Sequence, residues 1–231
     1  MKNKFIIILS LAVMVLCVGC TPAASNNSEK AKKEILTNLE TKYGINFTFQ
    51  EWDKKGVAKK AYLTCPALPG KTITAERKKE NGKTVFTDDY MVYKYEDEIK
   101  ESVTNSIMKV YPFSKVIVSF SESNYPDNIT RSSSAKDILQ NPDTDISIVT
   151  IVKGASNSLL KNYEADTLRT VLKNEKIRAH GDVYYTDDDD AYNTINETTY
   201  KDWAKKKKWI DDHYEFKMNT EYEFDKLDWG K

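Results

Sequence analysis

Two kinds of hydrophobic spacing alternate along this 231-residue chain from Glu29 onward. Apolar residues at every third or fourth position predict amphipathic helices, and short stretches rich in β-branched and aromatic residues predict strands. The alternation predicts an α+β fold, with a mixed β-sheet that has several amphipathic helices on one face. Helices are expected at 29–43, 92–110, 134–140 and 158–173, and strands at 45–52, 116–120, 146–152 and 177–185.

Local turn signals add detail to this sheet. Asn81-Gly82 suits the positive φ angles of a two-residue turn and predicts a hairpin within 71–89. The three later strands are separated by helices, which favours parallel pairing between neighbours. Asp88 or Asp89 is expected to cap the helix that follows.

A Thr-Asp-Asp triplet occurs twice, at 87–89 and at 186–188, each time after a predicted strand. The recurring triplet suggests that the globular region has two similar halves, with a candidate boundary in the polar loop 121–134. Because Asp is common at the start of helices, the recurrence of this triplet by itself does not establish an internal repeat.

Charge argues against a nucleic-acid partner. Lys and Arg number 35, Asp and Glu also number 35, and the formal net charge is +0. A chain without a net positive field has no general attraction to polyanions. We therefore expect no nucleic-acid partner.

The first residues have the pattern of a secretory signal peptide. Lys2 and Lys4 precede an apolar run from Phe5 to Gly19, which is shorter than the roughly 20 residues of a membrane-spanning helix. The segment Cys17-Val18-Gly19-Cys20 resembles the lipobox of bacterial lipoproteins, of the Gram-positive type.

The lipobox resemblance implies a location and a domain organisation. Residues 1–19 would be removed, and Cys20 would carry a diacylglyceryl group, with palmitate among its acyl chains. This group would hold the protein on the extracellular face of the cell membrane. Residues 20–28 are then the lipidated cysteine and a flexible tether, and 29–231 form the globular region.

Cys65 would then be the one cysteine left in the globular region. Without a second cysteine there is no internal disulfide, so stability must come from packing. Its apolar neighbours in "AYLTCPAL" favour a buried, unreactive side chain.

The acidic run 187–190 suggests a calcium site with Asp187, Asp189 and Asn193 as candidate ligands. The calcium-loop pattern is incomplete, because Tyr192 stands where Gly is needed and Thr198 where a bidentate Glu is needed. The alternative is a solvated helix start, and no cofactor is expected.

The segment "YKDWAKKKKWIDDHY" at 200–214 predicts a helix with Tyr200, Trp203, Ile210 and Tyr214 on one side. Lys205, Lys206 and Lys208 would point away and contact an anionic membrane or envelope polymer. The alternative is an ordinary helix with a lysine-rich solvent face.

Catalytic signatures are absent from the sequence. His180 and His213 are the two histidines, and neither has the spacing of a zinc motif. We expect a non-catalytic binding or accessory protein with a peptide, protein or carbohydrate ligand, for which the many aromatic residues could supply contacts. The alternative is an immunity-type lipoprotein that sequesters an antibacterial peptide or toxin. A cell-envelope hydrolase built on a carboxylate pair is a third hypothesis.

Overall fold

The computed structural model describes residues 23–53, 59–120, 125, 128–157, 160–205 and 209–230. These residues form an α+β fold with seven helices and two sheets, which confirms the fold class. The helices are α1 Ala23–Tyr43, α2 Tyr90–Lys94, α3 Glu96–Met108, α4 Ala135–Leu139, α5 Lys161–Glu175, α6 Asp189–Thr194 and α7 Tyr200–Ala204. The strands are β1 Thr48–Trp52, β2 Lys59–Thr64, β3 Ile73–Glu80, β4 Lys83–Asp88, β5 Ser114–Phe120, β6 Ile146–Lys153, β7 Ala179–Thr186, β8 Asp212–Met218 and β9 Phe224–Trp229.

The first sheet is an antiparallel meander in the order β1-β2-β3-β4. The predicted hairpin joins β3 to β4, with φ of 50° at Asn81 and 77° at Gly82. Gly and Asn tolerate this left-handed region better than other residues, so the turn follows directly from the sequence. Strand β2 was not predicted.

The second sheet has the order β5-β6-β7-β8-β9 and is mixed. Strands β6 and β7 pair in parallel across helix α5, as expected, but β5 and β6 are antiparallel. The parallel prediction for β5 and β6 is wrong because α4 has only five residues and does not carry the chain across the sheet. Strands β8 and β9 complete the sheet in antiparallel pairs and were not predicted.

Helices cover both faces of the second sheet, so the expectation of helices on one face is wrong. One face packs with α3 and α5 in a core that includes Val118, Ile148 and Val183. On the opposite face, side chains from α6, α7 and the segment between them pack on β5 and β6; this cluster comprises Ile117, Val149, Ile151, Ala191, Ile195 and Trp203.

The two sheets follow each other along the chain, which gives two successive halves of different strand connectivity. Both Thr-Asp-Asp triplets lie where a strand ends and a helix follows, at the carboxyl ends of β4 and β7. The chain changes sheet between Asp88 and Ser114, whereas β5 and β6, on either side of 121–134, pair with each other. The loop 121–134 is therefore not the place where the chain passes from one sheet to the other.

Two predicted helix boundaries need correction. Helix α1 begins at Ala23, so residues 23–28, expected to be a flexible tether, are helical. The expected single helix at 92–110 is interrupted at Tyr95, which has φ of −112° and separates α2 from α3. None of the helices in the described ranges is long and apolar enough to span a bilayer.

Two buried carboxylates lie at the junction of β4 and α2. Asp88 accepts hydrogen bonds from Tyr43 Oη at 2.7 Å and from the Tyr90 amide at 3.1 Å. Of the two residues expected to cap α2, Asp88 therefore bonds the first amide of the helix, and Asp89 makes no side-chain capping bond. Its Oδ1 accepts instead from the Thr74 amide of β3 at 2.7 Å. Both carboxylates therefore bind neighbouring elements together.

Asp89 is expected to make stability depend on pH. Burial, together with the charge of Asp88, raises its pKa to about 7, although the hydrogen bond from the Thr74 amide opposes the rise. The folded protein binds the carboxyl proton of Asp89 more tightly than the unfolded chain does. Protonated Asp89 therefore stabilises the fold, and this stabilisation is complete below about pH 4 and is lost as pH rises through 7. The variant Asp89→Asn should be more stable than wild type at pH 8, by up to about 4 kcal/mol.

Urea unfolding of both proteins from pH 4 to 8 measures this difference. The gap between variant and wild type should grow across that range, and titrating groups that do not interact with Asp89 cancel in the comparison. A gap that does not change with pH would contradict the prediction.

Candidate functional site

The structure describes the predicted calcium ligands but not the predicted lipid-attachment residue. Cys20 lies outside the described residues. Asp188 caps α6, since its Oδ1 accepts from the Ala191 amide at 2.8 Å, and Asp189 forms an ion pair with Lys153 at 2.7 Å. In the described part of the chain, no group of three or more His, Cys, Asp or Glu side chains is placed to hold a metal ion. The acidic run therefore starts helix α6, and a calcium site at Asp187, Asp189 and Asn193 stays a prediction.

The lysine-rich segment does not form the predicted helix. Helix α7 ends at Ala204, and Tyr214 lies on strand β8, whose alternate residues Tyr214, Phe216 and Met218 are buried. This period of two is the strand pattern that the helical interpretation missed. Lys205 is exposed and lies 3.1 Å from Asp202, while Lys206 and Lys208 fall outside the described residues. Contact of these lysines with an anionic surface stays a prediction.

Cys65 is buried, as predicted, and each of the two histidines contacts a neighbouring side chain. His180 Nδ1 lies 3.1 Å from Asp145 Oδ1, and this hydrogen bond raises the pKa of the imidazole. His213 stacks on the ring of Tyr184 with a centroid distance of 5.6 Å.

A cavity of about 430 Å³ lies along β5, which is an edge strand of the second sheet. Its floor is residues 117–120 of β5. One wall comes from the α2 and α3 region, and the other from the α6–α7 connection and α7. The wall residues are Tyr93, Glu96 and Lys100 on one side, and Glu197, Tyr200 and Lys201 on the other. We call this cavity the edge groove.

An ion pair bridges the two walls of the edge groove. Lys100 Nζ lies 3.0 Å from Glu96 Oε1 on its own helix and 3.5 Å from Glu197 Oε1 on the opposite wall. Burial lowers the pKa of Lys100, but the hydrogen bond and charge of Glu96, with the charge of Glu197, outweigh it and raise the pKa. Lys100 therefore stays charged, and its longer contact with the exposed Glu197 is the weaker one.

Glu96 is the most strongly paired carboxylate of the edge groove. Burial raises its pKa, but the hydrogen bonds from Lys71 and Lys100 outweigh burial and lower it. A carboxylate held ionised in this way can position a ligand but is poorly suited to donate a proton.

A second cavity of about 510 Å³ adjoins the edge groove, because Tyr93 and Glu96 line both. Leu68, Pro69 and Lys71 form its other side. Lys71 pairs with Glu96, and its Nζ lies 5.4 Å from the centre of the Tyr93 ring. The edge groove therefore continues past the amino-terminal end of α3.

The opposite end of the edge groove is closed. Lys115 Nζ donates to three backbone carbonyl oxygens at the end of α6, at 2.6 Å to Tyr192, 3.1 Å to Asn193 and 3.1 Å to Ile195. These bonds hold the end of α6 against the start of β5. A ligand would therefore extend from Ile117 toward Phe120 and the second cavity.

The charges around both cavities balance. Four lysines, Lys71, Lys94, Lys100 and Lys201, accompany four carboxylates, Glu96, Asp97, Glu98 and Glu197. Such a lining does not favour a polyanion.

Comparisons with known proteins add little to this geometry. No protein-family model matches the chain, and no curated protein matches it. Among solved structures, the chain resembles a DUF5037 family protein from Ruminococcus gnavus with 13% identity and a TM-score of 0.40. The match covers 85% of this chain and 94% of that one.

Proposed function

We propose that the protein is a lipid-anchored extracellular binding or accessory protein, and that its ligand occupies the edge groove. The lipobox resemblance at Cys17-Val18-Gly19-Cys20 supports the anchor. The observation that carries the binding role is the cavity along the edge of β5, walled by helical segments on both sides. Edge strands in such positions are common sites of recognition.

The chemistry of the edge groove favours binding over hydrolysis. Glu96 is ionised and bonded to two lysines, so it lacks the raised pKa of a general acid. The rings of Tyr93 and Tyr200 face a mixed polar lining, and tyrosine supplies contact area at low cost in conformational entropy. The immunity-type alternative is one form of this proposal, in which the ligand is an antibacterial peptide or toxin.

A photo-crosslinking amino acid in place of Tyr200 tests the binding role. Introduced into the full chain in its native cells, it should give a crosslinked adduct, because Tyr200 lines the edge groove. The matched control is the same substitution at Tyr163 on α5, which is 70% exposed and does not line either cavity. We expect roughly tenfold more adduct at position 200 than at position 163, because only the first position lines the edge groove.

Adduct yields that are equal at the two positions would contradict the proposed role of the edge groove. A second substitution makes the test specific. Lys100→Glu replaces the partner of Glu96 and Glu197 with a like charge and should lower the yield at position 200 without affecting the yield at 163.

A further inference from the structure

In the described part of the chain, strand β5 has main-chain hydrogen-bonding groups on its outer side that pair with no other strand. It pairs with β6 without a bulge from Ser114 to Phe120. In an antiparallel pair, every second residue directs its N–H and C=O away from the partner strand. Within the described ranges, no backbone hydrogen bond joins residues 116–120 to any element other than β6.

The two edges of the second sheet differ in their side chains. Strand β9, at the far edge, carries Asp225, Lys226 and Asp228, all exposed. Charges of this kind discourage the addition of another strand. Residues 116–120 of β5, in contrast, contain no charged side chain. The sequence therefore protects one edge with charges and leaves the other suited to pairing.

The walls of the edge groove restrict what can pair with β5. Helical segments flank the edge on both faces of the sheet, at Lys100 on one side and at Glu197 and Tyr200 on the other. Lys100 and Glu197 contact each other across the groove, so an extended chain that reaches β5 must separate this side-chain pair. The sheet edge of a second copy would bring its own α3 and α7 against them and collide. The balanced charges of the lining also disfavour a polyanion.

We propose that the ligand of the edge groove is an extended polypeptide segment that adds to β5 as a sixth strand of the second sheet. This inference rests on the proposed function of the groove. Main-chain hydrogen bonds to the outer side of β5 supply affinity, and alternate ligand side chains contact the two walls. The segment passes between Lys100 and Glu197 and separates them, while Lys100 keeps its bond to Glu96.

The probe for this inference is a random library of displayed dodecapeptides, selected on the full chain in detergent. Selected peptides should bind wild type and bind Tyr200→Ala at least about tenfold more weakly, because Tyr200 lines one wall of the edge groove. Amide hydrogen exchange then reports on strand addition. On peptide binding, every second amide among 116–120 should become protected, because the alternate amides already bond to β6.

N-methylation along the selected peptide gives an independent readout. A bound strand directs every second amide toward β5. Methylation of those amide nitrogens should weaken binding at least about tenfold, and methylation of the intervening amide nitrogens should have little effect.

The outcomes separate this inference from the proposed function. If a groove-dependent peptide protects no alternating set of β5 amides and shows no alternating effect of methylation, strand addition is wrong while the edge groove remains a binding site. If no peptide is selected, or if binding does not depend on Tyr200, an extended polypeptide is not the ligand of the edge groove. Equal crosslinking at positions 200 and 163 would instead contradict the proposal that the edge groove is the ligand-binding site.

Discussion

Serine in place of Cys20 is expected to abolish the incorporation of labelled palmitate into the protein. The lipobox resemblance assigns the diacylglyceryl group to the thiol of Cys20, and a serine hydroxyl does not replace that thiol. Two acyl chains hold a protein on a membrane, since each buried CH₂ contributes about 0.8 kcal/mol. Radiolabelling of growing cells, followed by purification of the protein, measures the incorporation.

The cysteine of the globular region provides the control. Cys65 lies outside the lipobox, so Cys65→Ser should incorporate palmitate as well as wild type does. The mass of the mature amino terminus gives a second measurement and should correspond to a chain that begins at lipidated residue 20. Label that persists in Cys20→Ser, or that is lost in Cys65→Ser, would rule out the assigned attachment site.

The proposed lipid anchor lies close in the chain to helix α1, which packs on the first sheet. Helix α1 starts at Ala23, so only Thr21 and Pro22 separate Cys20 from the first described helix. Arg77 of β3 pairs with Glu34 of α1, and Lys42 near the end of the helix pairs with Asp88. If Cys20 is lipidated as proposed, these contacts couple the first sheet closely to the membrane attachment.

The parts of the fold that the sequence predicts well are those with strong periodicity. Strands β6 and β7 consist largely of β-branched, aromatic and small residues, and α5 carries an apolar stripe, so each was located to within a few residues. The Asn81-Gly82 turn was predicted because few other residues adopt its φ angles.

Strands β8 and β9 were missed for a physical reason. Their sequences, "DHYEFKM" and "FDKLDW", carry a charged or polar residue at most of the exposed positions. Short strands with one solvated face have little apolar content, so a nearby lysine run and two tryptophans favoured a helix instead. Tertiary pairing with β7 decides their conformation.

The edge groove was not predictable because its residues are distant in the chain. Its lining comes from residues near 93–100, 117–120 and 197–201, and only the fold brings them together. One local signal was present: Glu96 and Lys100 are four residues apart, the spacing of a helical ion pair. The absence of charge in 116–120 acquires meaning only once β5 is known to be an edge strand.

Replacing Lys42 with methionine is expected to lower the free energy of unfolding by about 3–5 kcal/mol. Lys42 Nζ lies 2.8 Å from Asp88 Oδ2, and the two side chains are 7% and 2% exposed. Methionine removes the countercharge and leaves a buried carboxylate whose hydrogen bonds come from the neutral donors Tyr43 and Tyr90. Urea unfolding at pH 8 measures the loss.

Two companion variants show whether the loss comes from the unpaired charge. In Lys42→Met with Asp88→Asn, no charge remains to be neutralised, so most of the lost stability should return. Lys32→Met, on the same helix, removes a surface pair with Glu29 at 3.8 Å and should change stability by less than about 1 kcal/mol. If the double variant were no more stable than Lys42→Met alone, the packing of the lysine stem would be the cause. The ion pair would then not be what fixes α1 to the junction of β4 and α2.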